Sequence, residues 1–128
     1  MCDVKAAMEH SPDALRSRTK QFALRVMRLV RSLPNTAEGR VIGSQVLRSA
    51  TAIGANYRAA GRGRSRAEFA AKIGTVLEEA DETAYWFELL VEGGLVAEKR
   101  MADLLKEAEE LVKIFAAMKH TLRNKRSP

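Results

Sequence analysis

The residues best suited to chemistry are arginines set among glycines: Gly61, Arg62, Gly63 and Arg64, with Arg58 before them and Arg66 and Lys72 after. A guanidinium fork matches two phosphate oxygens at once, and backbone N–H groups beside a helix N-terminus favour the same anion. Four residues of this kind recur widely, so their weight depends on which other charges the fold brings beside them. A solvated basic surface is the plain alternative for any one of them.

Catalytic patterns are poorly supported. A di-iron bundle needs Glu-x-x-His pairs aimed inward from two helices, yet position 117, three before His120, is alanine, and His10 lies near the N-terminus. Glu78 and Glu82 stand four apart on one helix face, a spacing that suits an acidic outer stripe better than general acid/base work. The serines have no histidine placed to activate them, and Cys2 lies where no base is held against it. Tyr57, Tyr85 and Trp86 have ring faces on which a base can stack, but aromatics are only 5% of the chain and Tyr57 falls on an apolar stripe. No catalytic residue, metal ligand or cofactor is expected, and the chain is read as non-enzymatic.

Length and composition bound what can position these groups. At 128 residues the chain is one domain, long enough to bury a core without staples. Hydrophobic residues at 46% with charged residues at 30% describe a globular chain. A single cysteine excludes an internal disulfide and fits a reducing cytoplasm. The longest run free of Asp, Glu, Lys and Arg is nine residues, Ser49 to Tyr57, against the ~20 that cross a bilayer. No membrane span, secretory signal or transit peptide is expected.

Apolar spacing and punctuation predict four helices and no strand. The first runs from Asp13 to Leu33, capped by Ser11, led by Pro12 and stopped by Pro34, with Leu15, Phe22, Val26, Leu29 and Leu33 as its stripe. The second opens at Asn35, with Glu38 three residues on, and reaches Ala60. Its inner face of Ile42, Val46, Ser49, Ile53 and Tyr57 is flanked by Ala50, Ala52, Gly54 and Ala55, small enough for a neighbouring backbone to come close. Ser65 and Glu68 form a capping box before Phe69, Ile73, Val76, Ala80, Thr83, Phe87 and Leu90, and Gly93 and Gly94 end that third helix. The fourth spans Ala97 to Arg123. Residues 1–12 are expected to form a disordered tail, 13–123 the bundle, and 124–128 a basic tail. Connectors of roughly three or four residues make successive helices antiparallel neighbours, so the fold class is all-α, an up-down-up-down four-helix bundle.

This topology decides where the charge goes. Net charge is +6, distributed as +4 over residues 1–36, +5 over 37–67, −6 over 68–95 and +3 over 96–128. One end of the bundle gathers Arg16, Arg18 and Lys20, then Arg58, Arg62, Arg64, Arg66 and Lys72, then Lys119, Arg123, Lys125 and Arg126. Only Asp3, Glu9, Asp13 and Glu68 oppose them. Glu78, Asp81, Glu82, Glu88 and Glu92 share an arc of roughly 120° on the outside of the third helix. In an oligomer that arc meets basic residues of a neighbour, such as Arg25, Arg28, Arg40 or Arg48. Met27, Val30, Leu47 and Leu89 are expected on outer faces, which favours self-association.

The stretch Ile53 to Leu90 resembles the four-helix-bundle proteins encoded within 23S rRNA intervening sequences. The resemblance is carried by Ile53, Gly54, Ala55, Asn56 and Tyr57, by Arg64, Ser65, Glu68 and Phe69, and by Glu79, Ala80, Glu82, Thr83, Tyr85 and Trp86. Weaker similarity extends over about residues 14–122. It implies a ring-shaped homopentamer. A similar protein, the accessory variability protein of diversity-generating retroelements, implies further that nucleic acid and a reverse transcriptase are partners. Ala59 and Ala60 stand where the family usually has a Glu, and Asn56 is read as a structural amide.

Two functions follow as expectations. In the first, an oligomer binds nucleic acid, RNA above all, through Arg58, Arg62, Arg64, Arg66, Lys72 and Arg123. In the second, an adaptor contacts itself or a partner polypeptide through Glu78, Asp81, Tyr85 and Glu88.

Overall fold

The computed structural model describes residues 10–124. The expected N-terminal tail as far as residue 9, including Cys2, and the basic residues Lys125 and Arg126 lie outside the described residues. Four helices make up the fold: α1 (Pro12–Arg31), α2 (Ala37–Ala60), α3 (Arg66–Glu92) and α4 (Glu98–Asn124). Among the described residues there is no strand. Helix α1 therefore begins within the segment expected as tail, and α4 reaches one residue further than expected.

Each boundary has a local cause. The Ser11 hydroxyl accepts from the Ala14 N–H at 3.2 Å, and Pro12 occupies the first turn, where a missing donor costs nothing. Helix α1 stops at Arg31, short of Leu33, because the Ser32 and Leu33 amides turn back to Leu29 and Val30. The cap of α2 is Thr36, not Asn35: its hydroxyl accepts from the Gly39 N–H at 3.1 Å. Asn35 instead accepts from the Arg40 guanidinium at 2.9 Å. Helix α3 ends in a Schellman turn. Gly94 sits at φ +80°, the left-handed region that glycine enters without a Cβ penalty, while the Leu95 amide bonds to Leu90 and the Gly94 amide to Val91.

The helices pack in cyclic order, α1 on α2, α2 on α3, α3 on α4, with α4 closing lightly on α1. This is a four-helix bundle with antiparallel sequential neighbours. Leu15, Phe22, Val26, Val46, Ile53, Ile73, Val76, Phe87, Leu90, Met101, Leu111 and Phe115 are fully buried, each worth about 1.5–3 kcal/mol by removal from water. Two aromatic pairs cross the core diagonally. Phe22 meets Phe87 edge-on at 6.1 Å between α1 and α3, and Tyr57 meets Phe115 at 5.4 Å between α2 and α4.

Buried polar groups are satisfied. The Ser49 and Thr83 hydroxyls share a 2.8 Å hydrogen bond between α2 and α3, and no described buried side-chain polar atom lacks a partner. Gly54 serves close approach: a Cβ there would lie 3.2 Å from the Thr19 hydroxyl of α1. Asn56 donates to the Ala52 carbonyl at 2.9 Å, a structural role within its own helix.

Candidate nucleic-acid interface

The arginine turn forms because α2 tightens at its end. The Gly61, Arg62 and Gly63 amides bond back to Tyr57, Ala59 and Ala60, and Ser65 then caps α3. All the side chains of Arg58, Arg62, Arg64, Arg66 and Lys72 are exposed on or beside this turn. The turn lies against the end of α4: the Arg66 guanidinium reaches the Leu122 carbonyl at 3.5 Å, next to exposed Arg123. From α1, Arg16 and Lys20 line a groove together with Arg58 and Arg62 of α2 and the turn. Arg62 and Lys72 line a second hollow between α2 and α3. Residues from four separate stretches of chain thus meet at one pole.

Two expectations about this pole need correction. Two of the backbone amides at the α3 N-terminus are not open to an anion, because Arg64 N–H donates to the Glu68 carboxylate at 2.8 Å and Glu68 N–H donates to the Ser65 hydroxyl at 3.1 Å. The capping box uses these two amides. Arg18 is not a free cation either. Its guanidinium makes a bidentate pair with Glu107 of α4, at 2.6 and 2.8 Å, which ties α1 to α4. Arg16 pairs with Asp13 one turn earlier. By contrast, Arg58, Arg62, Arg64 and Lys72 have no carboxylate partner among the described residues.

Tyr57 forms part of the floor beneath the pole. Burial pushes its phenol above the ordinary value, and the positive charge of Arg16 partly offsets this. It is 6% exposed and cannot stack a base. The exposed aromatic ring is elsewhere on α3: Tyr85 is 53% exposed and meets Trp86 edge-on at 5.1 Å.

On the outer face of α3, Glu78, Asp81, Tyr85 and Glu88 are exposed, and the three acids have no cation partner among the described residues. Arg48, expected to reach a neighbouring copy, bridges Glu79 and Glu82 of its own chain instead. Glu82 also accepts from the Trp86 indole at 3.0 Å. That hydrogen bond, with help from Arg48 and against partial burial, holds the Glu82 carboxyl below the usual range, and the bond to Glu82 raises Arg48. Of the apolar residues expected outside, Met27 is exposed, whereas Val30 packs against the core and Leu47 and Leu89 are half-buried. Leu24 and Val41 are exposed in addition to Met27 and Tyr85.

Among the described residues no three His, Cys, Asp or Glu side chains converge as metal ligands, and no helix is long and apolar enough to cross a membrane. The sequence placed Arg16 and Lys20 at the pole but did not reveal that they share a groove with Arg58 and Arg62. Small residues at positions 23, 54, 55 and 59 are the signal, since a groove between helices opens where side chains are short.

The protein matches known relatives over most of its length. A crystal structure from Bacteroides thetaiotaomicron, described as a protein with unknown function from the S23 ribosomal protein family, superimposes with a TM-score of 0.79 at 32% identity, covering 85% of this chain and 97% of that one. No curated protein matches. The family model for the 23S rRNA-intervening sequence protein matches residues 14–117, covering all four helices in whole or part. The chain belongs to the 23S rRNA-intervening sequence protein family.

Proposed function

We propose that this protein is a non-enzymatic, RNA-binding bundle that acts through its basic pole, with several copies joined in a ring. The observation that carries this reading is the contrast in pairing. Arg18 and Arg48 are neutralised by Glu107, Glu79 and Glu82, while Arg58, Arg62, Arg64 and Lys72 at the pole have no carboxylate partner among the described residues. Unpaired cations clustered at one end create a positive potential that draws a polyanion, and a ring multiplies the contacts by avidity. The family's link to 23S rRNA intervening sequences makes RNA the fitting polyanion. Exposed Leu24, Met27 and Val41 supply apolar surface for contacts between copies. A reducing cytoplasm is the expected setting.

Purification at low and at high salt tests this reading. Nucleic acid that travels with the protein at low salt and is stripped at high salt supports it, because counterion release weakens such binding steeply. Protein free of nucleic acid at both, with no affinity for added RNA, refutes it. A monomeric mass by light scattering refutes the ring.

The exposed Tyr85 among unpaired Glu78, Asp81 and Glu88 favours a second reading, in which the outer face of α3 docks a partner polypeptide such as a reverse transcriptase. Reversing the three acids to lysine then abolishes capture of that partner. Unchanged capture counts against it.

A further inference from the structure

From the α1–α2 groove we infer that the pole holds single-stranded nucleic acid by its sugar–phosphate backbone, laid along the furrow between the two helices, rather than a duplex laid across the end. This inference rests on the polyanion reading of the pole and adds a site and a ligand form to it. The groove has a volume of about 350 Å³, with Arg16 and Lys20 on one wall and Arg58 and Arg62 on the other.

Its floor is made of small side chains. Thr19, Ala23, Thr51, Gly54, Ala55 and Ala59 line it, and the helices approach so closely there that a Cβ on Gly54 would lie 3.4 Å from the Thr19 Cβ. A shallow floor of methyls and hydroxyls with cations on both rims suits a strand whose phosphates alternate towards the two walls. Width sets the preference. Helix axes packed ~8–10 Å apart are in contact, and leave above that contact a furrow between their outer side chains in which one strand can lie. A duplex is a convex cylinder that touches rims only.

Base recognition is not built in. None of the ten lining residues is aromatic, and sequence-tolerant strand binding elsewhere gains much of its strength from stacking. Contact here is therefore through phosphates, and affinity follows charge. Arg16 is paired with Asp13, so the other three lining cations, Lys20, Arg58 and Arg62, correspond to a salt slope of about −2.1 from this groove, at −0.7 per phosphate on a single strand.

The test fills the groove without changing its charge. Thr51 and Ala55 are exposed, one helical turn apart, on the groove side of α2. The variant Thr51→Leu/Ala55→Leu keeps all four cations and uses a strong helix former. Binding of labelled oligouridine, oligothymidine and an RNA duplex of equal length is followed by fluorescence anisotropy at low salt, with melting curves as the check on folding. The expected result is a loss of about tenfold or more for single strands in the leucine variant, an unchanged melting temperature, and weak competition by the duplex. The smaller Ala55→Gln should weaken binding in the same direction, which keeps the test valid if two leucines disturb the fold.

Equal affinity for oligouridine and oligothymidine assigns the groove to the phosphodiester common to both, and preference for oligouridine assigns it to RNA. Either outcome supports the inference. Unchanged single-strand affinity in both filled variants, or a duplex that competes as well as a single strand, overturns the groove while leaving the basic pole in place. Absence of binding by the unaltered protein overturns both.

Discussion

Changing Arg58, Arg62, Arg64 and Arg66 together to alanine removes four guanidinium groups from the pole. All four are exposed, and among the described residues their side chains make one tertiary hydrogen bond, the 3.5 Å approach of Arg66 to the Leu122 carbonyl. Substitutions of this kind cost within about 0.5 kcal/mol each, so the fold survives. Binding does not. Each phosphate neutralised on a single strand contributes about −0.7 to the slope of log affinity against log salt, so losing four contacts flattens the slope by about 2.8 per chain. Over a fourfold rise in salt, the unaltered protein should then lose about 50-fold more affinity than the variant loses. Anisotropy titrations at several salt concentrations measure both slopes on the same oligonucleotide. A variant with the same slope as the parent would refute the assignment of these arginines, because contacts that release counterions cannot vanish without changing it. Arg18→Ala is the contrasting control: it leaves Glu107 without its bidentate partner, so it should lower the melting temperature and change the slope little.

Four further outcomes test the structural basis. Gly39→Ala should destabilise, since its Cβ would stand 2.2 Å from the Pro34 carbonyl, and a backbone clash of this size outweighs the ~1 kcal/mol gain in helix propensity. Gly74→Ala, which meets only the flexible end of Lys119 at 3.5 Å, should raise the melting temperature instead. Thr83→Val should cost about 0.5–1.5 kcal/mol in denaturant unfolding by removing the 2.8 Å bond to buried Ser49, which keeps its 3.3 Å bond to the Val46 carbonyl, and Thr83→Val/Ser49→Ala should then add little further loss from this pair. Glu82 has a folded pKa below its unfolded value, so its contribution is present above the ordinary carboxylate pKa and is lost as pH falls through the depressed one. Fluorescence of Trp86, the single tryptophan, should report that transition below the usual carboxylate range, and Glu82→Gln should abolish it.

Local sequence was sufficient for the elements and their order. Ser11 before Pro12, the Ser65 and Glu68 box, and the paired glycines at 93 and 94 are governed by neighbours within a few residues, and the helices begin and end beside them. Heptad-like spacing likewise marked Phe87, Leu90 and Leu111 as core. The cap of α2 was misread because Asn35 and Thr36 both suit the position, and only the path of the chain after Pro34 selects the threonine.

Pairing of charges was not legible at all, since Arg18 and Glu107 are 89 positions apart and Arg48 finds Glu79 and Glu82 across a helix interface. Spacing along one helix tells which face a charge occupies, not what stands opposite it. That choice belongs to tertiary packing, which paired Arg18 and Arg48 with carboxylates of other helices and left Arg58 and Arg62 beside a groove formed where Gly54 approaches Thr19.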